Sequence, residues 1–377
     1  VTADAFLEPR HQSLAADLRQ FVTREIVPVP ESESDDAARA EARGWLDVLG
    51  RAGWFASVAA QDLRALCLVR EAVASASPLA DAVVALQALG GTPFAIAGRD
   101  DQRARWLEAI VSGRAMAAFA MSEPEAGSDA AAMTTTARRD GSGWVLEGQK
   151  HLISNAGIAD IYVLFAVTTP GAGSRGITAF VVPASTLGLT VTPQVLAAPH
   201  PLGRLRLDGC RLPADAVLGE VDRGFALAMM TLDRIRPSVG AAACGMAARA
   251  LDEALRHVRE RRQFGQRLAD FQLVREKLGR MATDLDAARL LVYRAAWLKD
   301  RGADRITVPA AMAKSFATEA AQRIVDDAVQ LVGGVGVLVG HPVERLYRAV
   351  RALRIYEGAT DIQHLIVAGA LIDGAWP

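Results

Sequence analysis

The stretch Ile355-Tyr356-Glu357-Gly358-Ala359-Thr360-Asp361-Ile362-Gln363-His364-Leu365-Ile366-Val367 decides how the rest of the chain is read. Its centre is Glu357. A carboxylate followed at once by Gly358, with the small Ala359 and Thr360 next, can project into a cleft because glycine lets backbone and ligand approach closely. Ile362, Leu365 and Ile366 then recur at helical spacing, which sets the carboxylate just before a helix packed on a core. Taken alone, the stretch fits equally well a helix N-terminus carrying a dipole-matching acid. The decision rests on the remainder of the chain.

At 377 residues the chain is long enough for two or three domains with sizeable cores. It is 51% apolar, with few aromatics and long Ala/Leu/Arg stretches, a composition that favours a mostly helical protein. A formal net charge of -1 gives no electrostatic reason to expect a nucleic-acid partner. Cys67, Cys210 and Cys244 are odd in number, widely separated and without metal-like spacing to the histidines. Neither a disulfide framework nor a metal site is expected, and a reducing, cytoplasmic setting fits. The first residues lack a basic region followed by an apolar run, and no stretch approaches the roughly eighteen apolar residues of a membrane span. The longest candidate, Leu331 to Gly340, is short and glycine-rich. The chain opens on Val1 rather than Met, which leaves room for sequence ahead of it.

Three textures succeed one another. Residues 1–115 read as a helical domain, with apolar steps such as Leu14, Leu18, Phe21 and Val22, a break at Val27-Pro28-Val29-Pro30-Glu31, and a helix from Asp100 through Trp106, Leu107 and Ile110. Residues 116–221 read as a small β domain or barrel. Asp140-Gly141-Ser142-Gly143 is a turn before the strand Trp144 to Gly148, Ile161 to Val167 and Ile177 to Val182 are apolar runs, and Leu205 and Leu207 alternate with charged residues. From 222 to 377 three long amphipathic stripes, beginning near Val239, Val274 and Ala317, join the helix after Glu357 in a four-helix bundle. The fold class is α+β, mainly α.

The second informative stretch is Phe119-Ala120-Met121-Ser122-Glu123-Pro124-Glu125-Ala126-Gly127-Ser128-Asp129, a loop by composition. Ser122 and Ser128 offer hydroxyls, and Gly127 lets backbone N–H groups approach a ligand, as a polar heteroaromatic ring or a phosphate requires. Serine, glycine and aspartate are also common in ordinary turns. His151, His200, His257, His341 and His364 read as surface or structural residues, and His11 has no evident partner.

These motifs together resemble the flavin-dependent acyl-CoA dehydrogenases, from about Gly90 to the C-terminus. Tyr356-Glu357-Gly358-Ala359-Thr360-Asp361-Ile362-Gln363 resembles that family's base-bearing signature, and Ser122 to Asp129 its flavin-binding loop. Gly148-Gln149-Lys150-His151-Leu152-Ile153-Ser154-Asn155 resembles the segment along the isoalloxazine ring. Leu232-Asp233-Arg234-Ile235-Arg236-Pro237 resembles the CoA-contacting helix. Glu260 to Gly265, Phe271-Gln272 and Gln330 to Gly334 resemble pieces that bind flavin diphosphate and adenosine, partly across a subunit interface. Arginine there is apt, since its fork pairs with phosphate oxygens.

The resemblance implies FAD as cofactor, with contacts from Phe119, Met121, Ser122, Gly127, Ser128, Leu152, Ile153, Ser154, Arg261, Gln263, Phe264, Gln272, Gln330, Gly333, Gly334, Ala359, Thr360 and Asp361. It places the acyl thioester against Ser128, Asp233, Arg236, Tyr356 and Gly358. It implies α,β-dehydrogenation of an acyl-CoA: Glu357 removes the α-proton, the β-hydride goes to flavin N5, and the Glu357 N–H with a ribityl hydroxyl holds the developing oxyanion. Some relatives carry the base near Asp233 instead; the corresponding position here is Ile235, so Glu357 has no rival. An electron-transfer flavoprotein as acceptor and a homotetramer are also implied.

Departures from the family pattern stand beside these matches. Glu125 replaces a usual glycine, Leu152 stands where many relatives have tryptophan, Ala359 shifts the usual threonine, and Ser57-Val58-Ala59-Ala60-Gln61-Asp62 replaces an acidic-Tyr-Gly-Gly loop. Leucine fills a flavin face but cannot stack as tryptophan does. The same chemistry on a carrier-protein-bound thioester, oxygen chemistry on this scaffold, and a non-catalytic scaffold of the same fold remain open alternatives.

Overall fold

Several helix starts carry the capping side chain that their sequence supplies. Ser34 accepts the Ala37 N–H, Asp62 accepts the Ala65 N–H, and His341 Nδ1 accepts the Val343 N–H. The computed structural model describes residues 4–27, 29 and 31–375, so Pro28 and Pro30 of the expected break lie outside the described residues. In chain order the helices are α1 (Pro9–Phe21), α2 (Asp35–Arg51), α3 (Ala56–Ala60), α4 (Leu63–Ala74), α5 (Pro78–Ala97), α6 (Asp100–Gln102), α7 (Glu108–Val111), α8 (Gly224–Glu260), α9 (Gln272–Asp300), α10 (Thr307–Val332), α11 (Pro342–Leu353) and α12 (Thr360–Ile372). The strands are β1 (Ala117–Ala120), β2 (Thr136–Asp140), β3 (Gly143–Ser154), β4 (Ile161–Val167), β5 (Ile177–Pro183), β6 (Leu189–Gln194), β7 (Leu202–Leu212), β8 (Arg262–Gln263) and β9 (Gln266–Arg267). The helix expected from Asp100 is α6 and α7 joined by a π-turn over Arg103–Leu107.

The chain divides into two compact units, one of Val1–Glu31, Asp62–Asp81 and Asp233–Pro377, the other of Ser32–Gln61 and Ala82–Leu232. In the first, the stripe Val239, Ala243, Met246, Ala250, Ala254 and Val258 of α8 is buried, as are Met281, Leu285, Ala288, Val292 and Ala295 of α9 and Ala317, Ala321, Ile324, Ala328 and Leu331 of α10. Small residues let these helices approach closely: a Cβ on Gly245 of α8 would stand 2.1 Å from the Glu71 carbonyl oxygen of α4. Glu71 also ties α4 to α9, accepting from Arg289 Nε at 2.7 Å and from the Tyr293 hydroxyl at 2.8 Å. The expected bundle is present, with α11 added between α10 and α12. His11, left without a partner by its sequence, points Nε2 at both Asp62 carboxylate oxygens at 3.2 Å.

In the second unit the expected strands form a curled seven-stranded sheet of order β1-β4-β2-β3-β7-β6, with β5 on β4. Among the described residues no pairing joins β5 to β6, so the sheet is open where a barrel would close. Trp144, Leu146, Leu164, Phe180, Leu205 and Leu207 fill its concave core. β3 runs on through Ser154, beyond the expected Gly148, and its pairing with β7 shifts register between Leu146 and Gly148 and again between Lys150 and Ile153. At such bulges the strand bends and re-aims a side chain.

α5 departs from its sequence reading. It is long and apolar enough, by length and composition, to cross a membrane, yet 78% of its apolar window is buried inside the protein, and it carries the buried polar side chains Asp81 and Gln87. The burial is that of a core helix. The apolar run Leu331 to Gly340, by contrast, ends α10 and continues as a 3-10 turn over Gly333–Val337.

Candidate active site

Glu357 sits in the six-residue link between α11 and α12, with backbone φ 55, and Gly358 follows with φ 95. A non-glycine residue in the left-handed region is uncommon, costs roughly 1–3 kcal/mol and persists only where surroundings impose it. Three side chains do so here. Arg236 Nε of α8 donates to the Glu357 carbonyl oxygen at 3.2 Å, and Lys314 Nζ of α10 donates to the Gly358 carbonyl oxygen at 2.7 Å. Gln363 Nε2 donates to that same oxygen at 3.1 Å. Its positive φ favours glycine at 358, and a Cβ there would stand 2.3 Å from Gln363 Nε2, so that side chain would have to move.

The carboxylate so placed has an unusual environment. Glu357 Oε2 is buried with no hydrogen-bond partner. A buried carboxylate oxygen left open calls for an explanation, and a catalytic role is one. Burial raises the Glu357 pKa; Arg70, Lys314 and Arg236 oppose that, and Asp81 adds to it. Arg70 of α4 is fully buried, gripping Asp81 through Nε and Nη2, each at 2.9 Å, and donating to Ser238 Oγ at 3.0 Å. Lys314 is also fully buried, and burial lowers its pKa to about 8 although Glu357 pulls the other way.

Among the residues read from sequence, the first unit thus brings Tyr356, Glu357, Gly358, Ala359, Thr360, Asp361, Asp233 and Arg236 together. Asp233 Oδ1 accepts from Arg236 at 2.6 Å and Oδ2 from the Thr307 hydroxyl at 2.6 Å. Arg70, Asp81, Ser238 and Lys314 were missed. A signal existed: Arg70 follows Leu63 and Leu66 on the inward stripe of α4, and Lys314 stands between Ala310 and Ala317 on that of α10. A charge at a core position asks for a partner.

In the second unit β1 carries Phe119 and leads into the loop from Met121. That loop lies along β3, because the His151 N–H donates to the Ser122 carbonyl at 2.9 Å and Lys150 Nζ to the Met121 carbonyl at 3.0 Å. Beneath it lies a second missed feature. Lys150 Nζ stands 2.8 Å from Glu123 Oε1, both side chains nearly inaccessible. The Thr135 N–H donates to Oε1 at 3.0 Å, and the Thr134 N–H and hydroxyl to Oε2 at 2.6 and 2.9 Å. Burial works against ionisation of Glu123, but Lys150 and these hydrogen bonds outweigh it and bring the carboxyl to about 2. Above this fixed floor Gly127 and Ser128 are exposed, and the second bulge turns Leu152 outward at φ 56 with 52% exposure while Ile153 points into the core. An exposed apolar side chain, next in sequence to the His151 that holds the Ser122 loop, is of the kind that lines one face of a flat ring.

The remaining candidates lie at the surface of the first unit. Arg262–Gln263 pairs with Gln266–Arg267 as a two-stranded hairpin whose turn, Phe264 and Gly265, has φ 51 and 81. Phe264 is 92% exposed, packed edge-on against Phe271 at 6.3 Å, and Arg261, Gln263, Gln272, Gln330, Gly333 and Gly334 are exposed as well. Among the described residues no cluster of His, Cys, Asp or Glu suits a metal ion, and Cys67, Cys210 and Cys244 are free and buried.

Comparison with known proteins accords with this geometry. The acyl-CoA dehydrogenase N-terminal domain matches residues 8–114, the middle domain residues 118–210 and the C-terminal domain residues 222–372. The chain is 37% identical to a probable acyl-CoA dehydrogenase of Mycobacterium tuberculosis, over 97% of its own length and 96% of the relative's. It is 39% identical to the CarC subunit of the caffeyl-CoA reductase-Etf complex of Acetobacterium woodii, over 75% of this chain and 76% of that one. Butyryl-CoA dehydrogenase of Megasphaera elsdenii matches in structure with TM-score 0.90 at 31% identity, covering 97% of this chain and 99% of that one. The chain belongs to the acyl-CoA dehydrogenase family, a family of flavin-dependent oxidoreductases.

Proposed function

We propose that Glu357 is the general base of an acyl-CoA dehydrogenation, removing the α-proton of the thioester. The observation that carries this reading is the buried, unpartnered Glu357 Oε2 in a strained turn held by Arg236, Lys314 and Gln363. A proton next to a thioester carbonyl is weakly acidic, so its removal needs a positioned carboxylate whose pKa is raised toward the operating pH. Burial supplies that rise, and the neighbouring cations keep it bounded. The Glu357 N–H serves as an oxyanion donor, and Tyr356, Gly358, Asp233, Arg236 and Ser128 serve the thioester side.

The cofactor is FAD. When bound, it supplies the acceptor for the β-hydride. Phe119, Met121, Ser122, Gly127, Ser128, Leu152, Ile153 and Ser154 hold its ring system, with Ala359, Thr360 and Asp361 as further contacts. Arg261, Gln263, Phe264, Gln272, Gln330, Gly333 and Gly334 hold its diphosphate and adenosine. The exposure of Phe264 at 92%, Leu273 at 78%, Val339 at 76%, Leu365 at 67% and Ile372 at 82% supports burial of this surface between subunits of a homotetramer. The Etf named in the CarC complex supports an electron-transfer flavoprotein as redox partner.

An anaerobic titration with straight, branched and aryl acyl-CoA thioesters, following visible flavin absorbance, tests the reading. Bleaching by one class supports it and names the substrate. A flavin-loaded protein that no CoA ester bleaches contradicts it.

A further inference from the structure

We propose that Lys314 is a positioning residue for the base: its buried ammonium pins the Gly358 carbonyl and sets a positive charge within reach of the Glu357 carboxylate. This rests on Glu357 being the base. Lys314 is fully buried within α10, about two turns from its start, where a lysine's desolvation must be offset. Its 2.7 Å hydrogen bond goes to a backbone carbonyl, that of the residue following Glu357. An apolar side chain of equal length would fill the same space at lower desolvation cost, so the charge itself has a role.

That role follows from what faces Glu357. Arg70 of α4 is neutralised by a two-point grip on Asp81 of α5, and Arg236 of α8 is shared with Asp233. Tyr356 is the adjoining residue, and Glu319 of α10 lies within electrostatic reach of Lys314 while accepting from Arg354 Nε at 2.6 Å. Among these groups, Arg70 and Arg236 each answer a carboxylate directly, whereas the Lys314 ammonium donates to the neutral Gly358 carbonyl, so its charge acts on the turn and on Glu357. Its bond also opposes relaxation of the left-handed Glu357 backbone, which fixes where the carboxylate points.

Hydrogen exchange at the α-carbon of acetyl-CoA in D2O isolates the base, because acetyl-CoA has no β-carbon to oxidise. In K314M, with flavin content unchanged, we expect the acid limb of the exchange profile to move up by about one pH unit or more, with the rate falling while half-saturation changes less than the rate. K314R retains the charge in a similar volume and is expected to keep the wild-type limb. A K314M limb that coincides with wild type, or a K314R limb displaced upward, overturns the proposal; if K314M does not fold, K314Q, which also removes the charge, is read in its place. E357Q separates the two readings: exchange surviving in E357Q refutes the base, whereas exchange lost in E357Q but indifferent to Lys314 refutes only the role of Lys314.

Discussion

Lys150 and Glu123 form an ion pair at 2.8 Å with side-chain exposures of 0% and 2%, linking β3 to the loop between β1 and β2. Removing one partner of a buried pair leaves the other charge uncompensated, which typically costs about 3–5 kcal/mol. K150M is therefore expected to destabilise the protein by about that much in denaturant unfolding. The K150M/E123Q double variant should lose less than the sum of the two single losses, since neither charge is stranded.

The same pair gives an acid dependence with a definite sign. Glu123 titrates at about 2 in the fold against an ordinary value of 4.5, so its contribution to stability is fully present above 4.5 and is lost as pH falls through 2. The contribution is at most about 3 kcal/mol. Unfolding free energies at pH 5, 4 and 3 should fall progressively in the wild type, and E123Q should flatten that slope.

Gly358→Ala tests the turn. The left-handed backbone disfavours a side chain, and a Cβ would displace the Gln363 Nε2 that holds the Gly358 carbonyl, so the turn loses support. Expected are a global stability loss of roughly 1–3 kcal/mol and a fall in kcat of at least about tenfold, with flavin content retained. An alanine enzyme of wild-type kcat would show that the geometry of the turn is not what places the carboxylate.

Burial raises the Glu357 pKa above its ordinary value of 4.5, and a general base in the proposed role reacts in its ionised form. The acid limb of kcat/KM should accordingly lie above the usual glutamate range, with activity falling as pH drops through it. Replacing residues proposed to contact flavin, such as Leu152, should leave that limb in place.

Much of this was legible in the sequence because it is written locally. The carboxylate–glycine pair ahead of a helical stripe, the Ser/Gly loop and the apolar runs of β4 and β5 each declare themselves within about ten residues. What was illegible depends on residues distant in sequence. His11 and Asp62 are 51 positions apart, Lys150 and Glu123 27, and Lys314 and Gly358 44. The outward turn of Leu152 follows from a register shift between β3 and β7 that no local pattern announces. The length of α5 was not legible either: Asp81, Gln87 and Pro93 stand within it, and a core helix tolerates the first two because Asp81 has Arg70 as partner and Gln87 the Ile110 and Ala115 carbonyls.

The most direct test of the central claim is rapid anaerobic mixing of wild type and E357Q with an acyl-CoA that bleaches the wild-type flavin. Glutamine keeps the size and shape of the side chain but cannot take the α-proton. The account predicts full flavin content, retained thioester binding and a bleaching rate lower by about 100-fold to 10,000-fold. Bleaching by E357Q at close to the wild-type rate would contradict it.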